Sequence, residues 1–238
     1  MDGPNLSSPL PRRTTAIFTK MPVAGMVKTR LCPPLRADEA AGLADAMLRD
    51  VVARISRIRD FHTTLYFAPD GARRWFEENF GEVFDQRPQV GEGLASRLAG
   101  YFREELIGTV GSTAVAIGSD APLAPLGAIV EAHERLAAGA DLVLGPDDGG
   151  GYYLIGMREP HTDVITEVTM STSDMCARTT ELARSRGLDV ELVDPGYDVD
   201  VARDLERLRK DIAALDPGAD DYPRSTAAYL EGLKETSA

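Results

Sequence analysis

Residues Thr113 to Pro122 read TAVAIGSDAP, and within them Ala114, Val115, Ala116 and Ile117 form an apolar run that stops at Gly118. A short run of small and β-branched residues without polar alternation is the pattern of a strand buried on both faces inside a parallel sheet. Pro122 has no amide to give a ladder, so the strand ends before it. Asp120 therefore falls just past the carboxyl end of a central strand, the place where open α/β sheets bind ligands. An aspartate there also serves as a turn or helix-cap residue. The surrounding chain has to decide between the two roles.

Strand and helix patterns alternate along the chain. The strand TTAIFT (Thr14 to Thr19) precedes a helical period that starts from Asp38, a natural N-cap, and places Leu43, Met47, Leu48, Val51 and Ile55 on one face. Thr63 to Ala68 is a second strand, and Arg73 to Phe80 a helix with Trp75, Phe76 and Phe80 turned to the core. A glycine pair in QVGEGLASRL then opens a helix with Leu94, Leu98 and Phe102 inward. After the central strand come a helix from Pro125 to Ala138, a strand at Asp141 to Leu144, the strand YYLIGM, and a helix from Ser173 to Arg186 stopped by Gly187. Asp189 to Val193 is a further strand, followed by a helix carrying Val201, Leu205, Leu208 and Ile212. His133 falls beside the apolar stripe of its helix and reads as a packing residue. This alternation predicts an α/β fold, three layers (α/β/α) around a mostly parallel central sheet. We expect a single domain over 13–238 with a short C-terminal helical extension, after a disordered lead-in over 1–12 that is rich in Pro, Ser and Gly and lacks the apolar stretch of a signal peptide.

Composition narrows the function. A formal charge of −12 and a pI near 4.7 argue against nucleic acid as a partner, since such proteins present a basic face. Two distant cysteines and three scattered histidines form neither a disulfide framework nor a zinc motif. Reduced thiols fit a cytoplasmic location. No segment approaches the ~20 apolar residues of a membrane span.

Basic residues do gather in one loop. After the first strand comes KMPVAGMVKTRLCPPL, with Pro22, Gly25, Lys28 and Arg30. Glycine allows close backbone approach and the cations supply charge, as in a loop that wraps a phosphate, although the Walker spacing is absent. A solvated basic loop is the alternative. In GPDDGGGYYLIGM two acids, Asp147 and Asp148, precede Gly149 to Gly151, which suit either a tight turn or close packing against a flat ligand. Asp198 and Asp200 precede the late helix, which Asp200 could cap. A cationic loop and two carboxylates, Asp120 and Asp200, at separate strand ends describe a site for a nucleoside di- or triphosphate with Mg²⁺ or Mn²⁺, which takes one or two carboxylates plus phosphate oxygens.

The segments FTKMPVAGMVKTRLCPPL, GEGLASRL, GSDAP, GPDDGGGYYLIGM and YDVDVARDL, in that order, resemble the bacterial arsenosugar-biosynthesis glycosyltransferases, which have the GT-A fold and belong with the nucleotide-diphospho-sugar transferases. The resemblance runs from about Thr15 to Leu208. It implies a nucleotide or nucleotide-sugar donor and a small-molecule acceptor. By motif, Pro22, Gly25, Lys28, Arg30, Arg97 and Gly118 would hold the nucleotide, and Asp120 and Asp200 the metal. Asp120 and Asp148 would be the catalytic carboxylates, with Gly149, Gly150, Gly151, Tyr152, Ser171 and Thr172 on the acceptor side. The chain departs from the family's pattern at Gly149, where an Asp is usual, at Met170, where Trp is usual, and at Val201 to Arg203, where Thr-Pro-Glu is usual. A glycosyltransferase is the first reading; a nucleotidyltransferase that releases pyrophosphate, or a non-catalytic nucleotide-binding protein, are the others.

Overall fold

The computed structural model describes residues 11–236. Seven strands form one sheet: β1 (Arg13–Lys20), β2 (His62–Ala68), β3 (Asp85–Pro88), β4 (Thr113–Gly118), β5 (Leu142–Pro146), β6 (Tyr152–Met157) and β7 (Val190–Leu192). Their spatial order is β3-β2-β1-β4-β6-β5-β7, and every pairing is parallel except those of β6, which runs antiparallel to β4 and β5. The helices are α1 (Ala37–Ile55), α2 (Arg73–Phe80), α3 (Gly93–Leu106), α4 (Leu126–Ala138), α5 (Asp163–Thr166), α6 (Met175–Ser185), α7 (Ala202–Ala214) and α8 (Arg224–Thr236). The expected α/β fold is thus the observed one. Residues 1–10 of the expected lead-in lie outside the described residues, whereas the Arg12 backbone is bonded to Ser112 and Thr113.

The apolar runs dictate the layering. Side chains along β1 and β4 alternate between two cores: Ile17, Val115 and Ile117 face α1, α2 and α4, while Phe18, Ala114 and Ala116 face α3, α5 and α6. Each fully buried Leu, Ile or Phe is worth about 1.5–3 kcal/mol relative to exposure, which selects the register that buries both faces. A third cluster lies outside α1, where Leu43 and Met47 meet Leu205, Leu208 and Ile212 of α7 and Leu230 of α8. α1 is therefore covered on two sides, and its buried Asp50 accepts the Ser225 and Thr226 N–H groups at 3.0 and 2.7 Å, capping α8.

Several local expectations change. Asp38 does not cap α1; the Arg36 N–H donates to Glu39 (2.8 Å) and Asp38 pairs with the Arg36 side chain. Trp75 is only partly buried, and Leu94 is exposed at 44%, because the first turn of α3 faces an open cleft instead of the core. His133 is fully buried, with Thr15 Oγ1 2.9 Å from Nε2 and Thr113 Oγ1 2.7 Å from Nδ1, so it ties α4 to β1 and β4.

Candidate active site

β1 connects through α1 to β2 on one side, and β4, reached through α3, lies on the other side of β1. The strand order therefore reverses between β1 and β4, and a crevice opens beyond their carboxyl ends. A cleft of about 660 Å³ occupies that position. Its walls include Lys20 at the end of β1, Lys28 and Arg30 beyond it, Gln89 and Arg97 from the β3–α3 region, Gly118 at the end of β4 with Ser119 and Asp120 beyond it, and Asp198 and Asp200.

The acidic end is assembled by one backbone contact. The Val199 N–H donates to the Asp120 carbonyl at 3.0 Å. Val199 is fully buried, and the residues on either side of it, Asp198 and Asp200, line the cleft beside Asp120. Asp200 does not cap α7: Asp204 accepts the Asp200 and Val201 N–H groups at 3.0 and 2.9 Å, which frees the Asp200 carboxylate. The segment that follows Asp120 is held by Arg54 of α1, whose buried guanidinium donates to the Pro122 carbonyl and, at 3.1 Å, to that of Ala124.

Lys28 sits between the two acids. Its Nζ is 2.9 Å from Asp120 Oδ1 and 2.9 Å from Asp200 Oδ1, and its side chain is 5% exposed. Burial alone would lower the ammonium pKa, but the charges of Asp120 and Asp200 outweigh it and the pKa is raised. Burial likewise opposes ionisation of Asp200, and Lys28 followed by Arg30 reverses it, so Asp200 is held below the usual carboxylate range. Arg30 is 72% exposed and reaches Asp200 at 3.7 Å. Asp198 differs: burial, then the negative charge of Asp120, push its carboxyl up to about 8, and its Oδ1 is buried without a hydrogen-bond partner. An uncharged Asp198 near neutrality limits the number of negative charges gathered here.

A divalent cation fits this donor set, with a condition. Asp120 and Asp200 converge on one point, and the orphaned Asp198 oxygen lines the same cleft. Among the described residues, however, no group of three or more His, Cys, Asp or Glu side chains is arranged to hold a metal. Phosphate oxygens and water would have to complete the coordination, as is usual for Mg²⁺.

The remaining expected residues divide. Arg97 lines the cleft, held by its donations to Gly91 O (3.0 Å) and Gln89 Oε1 (3.1 Å). Gly118, Tyr152 and Ser171 also line it, Ser171 with a positive φ of 62°, an uncommon conformation for a residue with a side chain. Pro22, Gly25 and Thr172 do not reach the wall. Asp148 is turned away, inside the turn that the Gly150 N–H closes on the Asp147 carbonyl, and pairs with Arg207 at the surface. Within that loop Asp147 accepts the Gly149 and Gly151 N–H groups, and a Cβ on Gly150 would lie 1.8 Å from the Ser173 carbonyl. Gly149, Gly150 and Gly151 therefore build a tight turn, Gly150 packed on the Ser173 backbone and its two neighbours on the Asp147 side chain, and none of the three reaches the cleft wall. Sequence reasoning assigned no site role to Asp198, although the period of two in Asp198-Val199-Asp200 was a usable sign of two acids on one face.

Comparison with known proteins agrees with this fold. A family model described as "Uncharacterized protein conserved in bacteria (DUF2064)" matches residues 51–172. The crystal structure of a candidate nucleotide-diphospho-sugar transferase from Desulfovibrio desulfuricans G20 is similar at a TM-score of 0.83 and 26% identity, over 95% of this chain and 96% of that one. A 4-diphosphocytidyl-2C-methyl-D-erythritol synthase shares the fold at a TM-score of 0.53 and 11% identity, over 85% and 99% of the two chains. So does a candidate glucose-1-phosphate thymidylyltransferase from Bacillus anthracis, solved with sucrose, at 0.52 and 13%, over 87% and 98%. No curated sequence relative matches. No helix among the described residues is long and apolar enough to cross a membrane.

Proposed function

The chain belongs to the DUF2064 family of bacterial proteins, and on that footing we propose that it is a metal-dependent glycosyltransferase, an enzyme that moves a sugar from a nucleoside-diphosphate donor to a small acceptor. The observation that carries the reading is the meeting of Lys28, Arg30, Asp120 and Asp200 at one end of a cleft at the sheet's switch point. Cleaving the bond between sugar and diphosphate leaves negative charge on the departing phosphate. A preformed cationic pair in a partly dehydrated site stabilises that charge better than water does. In this reading Lys28 and Arg30 bind the diphosphate, Arg97 and Gly118 bound the donor's place, and Tyr152 and Ser171 bound the acceptor's. When bound, Mg²⁺ or Mn²⁺ supplies further charge neutralisation on the phosphates, and Asp120 and Asp200 are the residues that would hold it. The arsenosugar-biosynthesis glycosyltransferases are our model for a small acceptor, and the cytoplasm for the location.

The same charges would also serve attack on the α-phosphate of a nucleoside triphosphate, and the fold is shared with two nucleotidyltransferases. Fold does not choose between the two chemistries. Product analysis does: release of a nucleoside diphosphate from a sugar nucleotide supports glycosyl transfer, and release of pyrophosphate from a triphosphate replaces it with nucleotidyl transfer. Absence of both, with nucleotides still raising the melting temperature, would leave a binding protein.

A further inference from the structure

Resting on that reading of the cleft, we propose that Lys28 is a built-in counter-ion that keeps the Asp120–Asp200 pair from taking up a divalent cation until a diphosphate arrives to receive its ammonium group. The Lys28 Nζ lies at 2.9 Å from one oxygen of each carboxylate, at the point where the two acids converge. The backbone there is committed to this placement, because Lys28 has φ 49° and ψ 33° in the left-handed region and heads a 3-10 turn over Thr29–Leu31. A side-chain-bearing residue keeps such a conformation only when its surroundings enforce it.

Charge balance explains the order of events. Lys28 and Arg30 together offset Asp120 and Asp200, so the free site has little net attraction for a lone divalent ion. Expelling Lys28 with nothing to receive it would leave an ammonium group, now almost wholly buried, without a partner, and an unpaired buried charge is costly. A diphosphate removes this obstacle. Its oxygens accept the ammonium, the two carboxylates lose their counter-ion, and they become ligands for a cation that the phosphates also bind. Cation and diphosphate then bind together or hardly at all.

The test is Mn²⁺ binding, read by the water-proton relaxation enhancement of protein-bound ion, with activity left aside. Wild type should bind Mn²⁺ alone at least about tenfold more weakly than Lys28→Gln, which keeps the volume and removes the charge. Lys28→Arg, which retains a cation, should stay close to wild type, and adding Asp120→Asn to Lys28→Gln should abolish the gain. Equal affinity of wild type and Lys28→Gln for Mn²⁺ alone overturns the proposal. If circular dichroism finds Lys28→Gln unfolded, wild type alone decides: its Mn²⁺ affinity should rise at least about tenfold with UDP, GDP, CDP or ADP present, and an unchanged affinity overturns the proposal. Tight Mn²⁺ binding by wild type without nucleotide defeats the counter-ion role but leaves the transferase reading standing. Nucleoside diphosphates that bind equally well with and without Mn²⁺ defeat the metal-dependent reading and this proposal together.

Discussion

At the scale of single residues, the two acids and Arg30 carry separable expectations. Asp120→Asn keeps the side-chain volume and leaves Lys28 paired with Asp200, so the melting temperature should change little while turnover falls about 100-fold, because the cation that would neutralise the departing phosphate loses one of its anionic ligands. Turnover near wild type at saturating Mn²⁺ would remove Asp120 from the machinery. Arg30 is exposed, so solvent screens it and its worth is at the low end of a charge-assisted bond. Arg30→Ala should weaken nucleoside diphosphate binding about tenfold, equivalent to ~1.4 kcal/mol, and nucleoside binding not at all. Arg30→Lys should recover part of the loss, since a point charge lacks the bidentate fork. Calorimetric titration with nucleoside, monophosphate and diphosphate separates these outcomes, and equal losses for all three would deny Arg30 a phosphate role.

At the scale of elements, two junctions carry measurable stability. Gly150 has φ +88°, and a Cβ there would be driven into the Ser173 carbonyl. Because that neighbour is backbone and cannot swing aside, Gly150→Ala should cost about 2–4 kcal/mol in urea unfolding, whereas Gly127→Ala, at a helix position with open space, should be neutral or stabilising by up to ~1 kcal/mol. Similar losses at the two sites would show that the turn can relax. At the other junction, Asp50→Ala removes the acceptor for the first N–H groups of α8. Loss of a cap costs roughly 0.5–2 kcal/mol, and faster hydrogen exchange should appear first at Ser225 and Thr226. Exchange that accelerates uniformly along the chain would instead mean that α8 opens only with the whole fold.

At the scale of the whole molecule, pH couples to folding through His133. Burial, then the positive charge of Arg13, depress its pKa from the ordinary 6.5 to about 3. The native state therefore holds the ring neutral while the unfolded chain takes up a proton below pH 6.5. Stability from this group is present above pH 6.5 and is lost as pH falls toward 3, by ~1.4 kcal/mol per unit, or about 3 kcal/mol by pH 4. Urea titrations of wild type and His133→Asn at pH 7, 5 and 4 should give a shallower pH dependence in the variant. Parallel curves would place the acid sensitivity elsewhere.

The sequence by itself determined the elements whose pattern is local. Apolar runs specified β1, β2, β4 and β6, helical periods specified α1, α3, α4 and α7, and the strand ends delivered Asp120 and the cationic loop. It did not reveal β3, because Asp85–Pro88 has no apolar run and is ordered by pairing at the sheet edge. Nor could it rank the acids. Asp148 and Asp200 look alike along the chain, yet one is drawn out to Arg207 and the other is docked beside Asp120 by the Val199 backbone. Only the tertiary structure set Lys28 between two carboxylates and left one Asp198 oxygen buried and unpaired. The physical reason is that periodicity records which face each residue buries, whereas the meeting of charges depends on crossovers that bring distant strand ends together, and no local pattern encodes that distance.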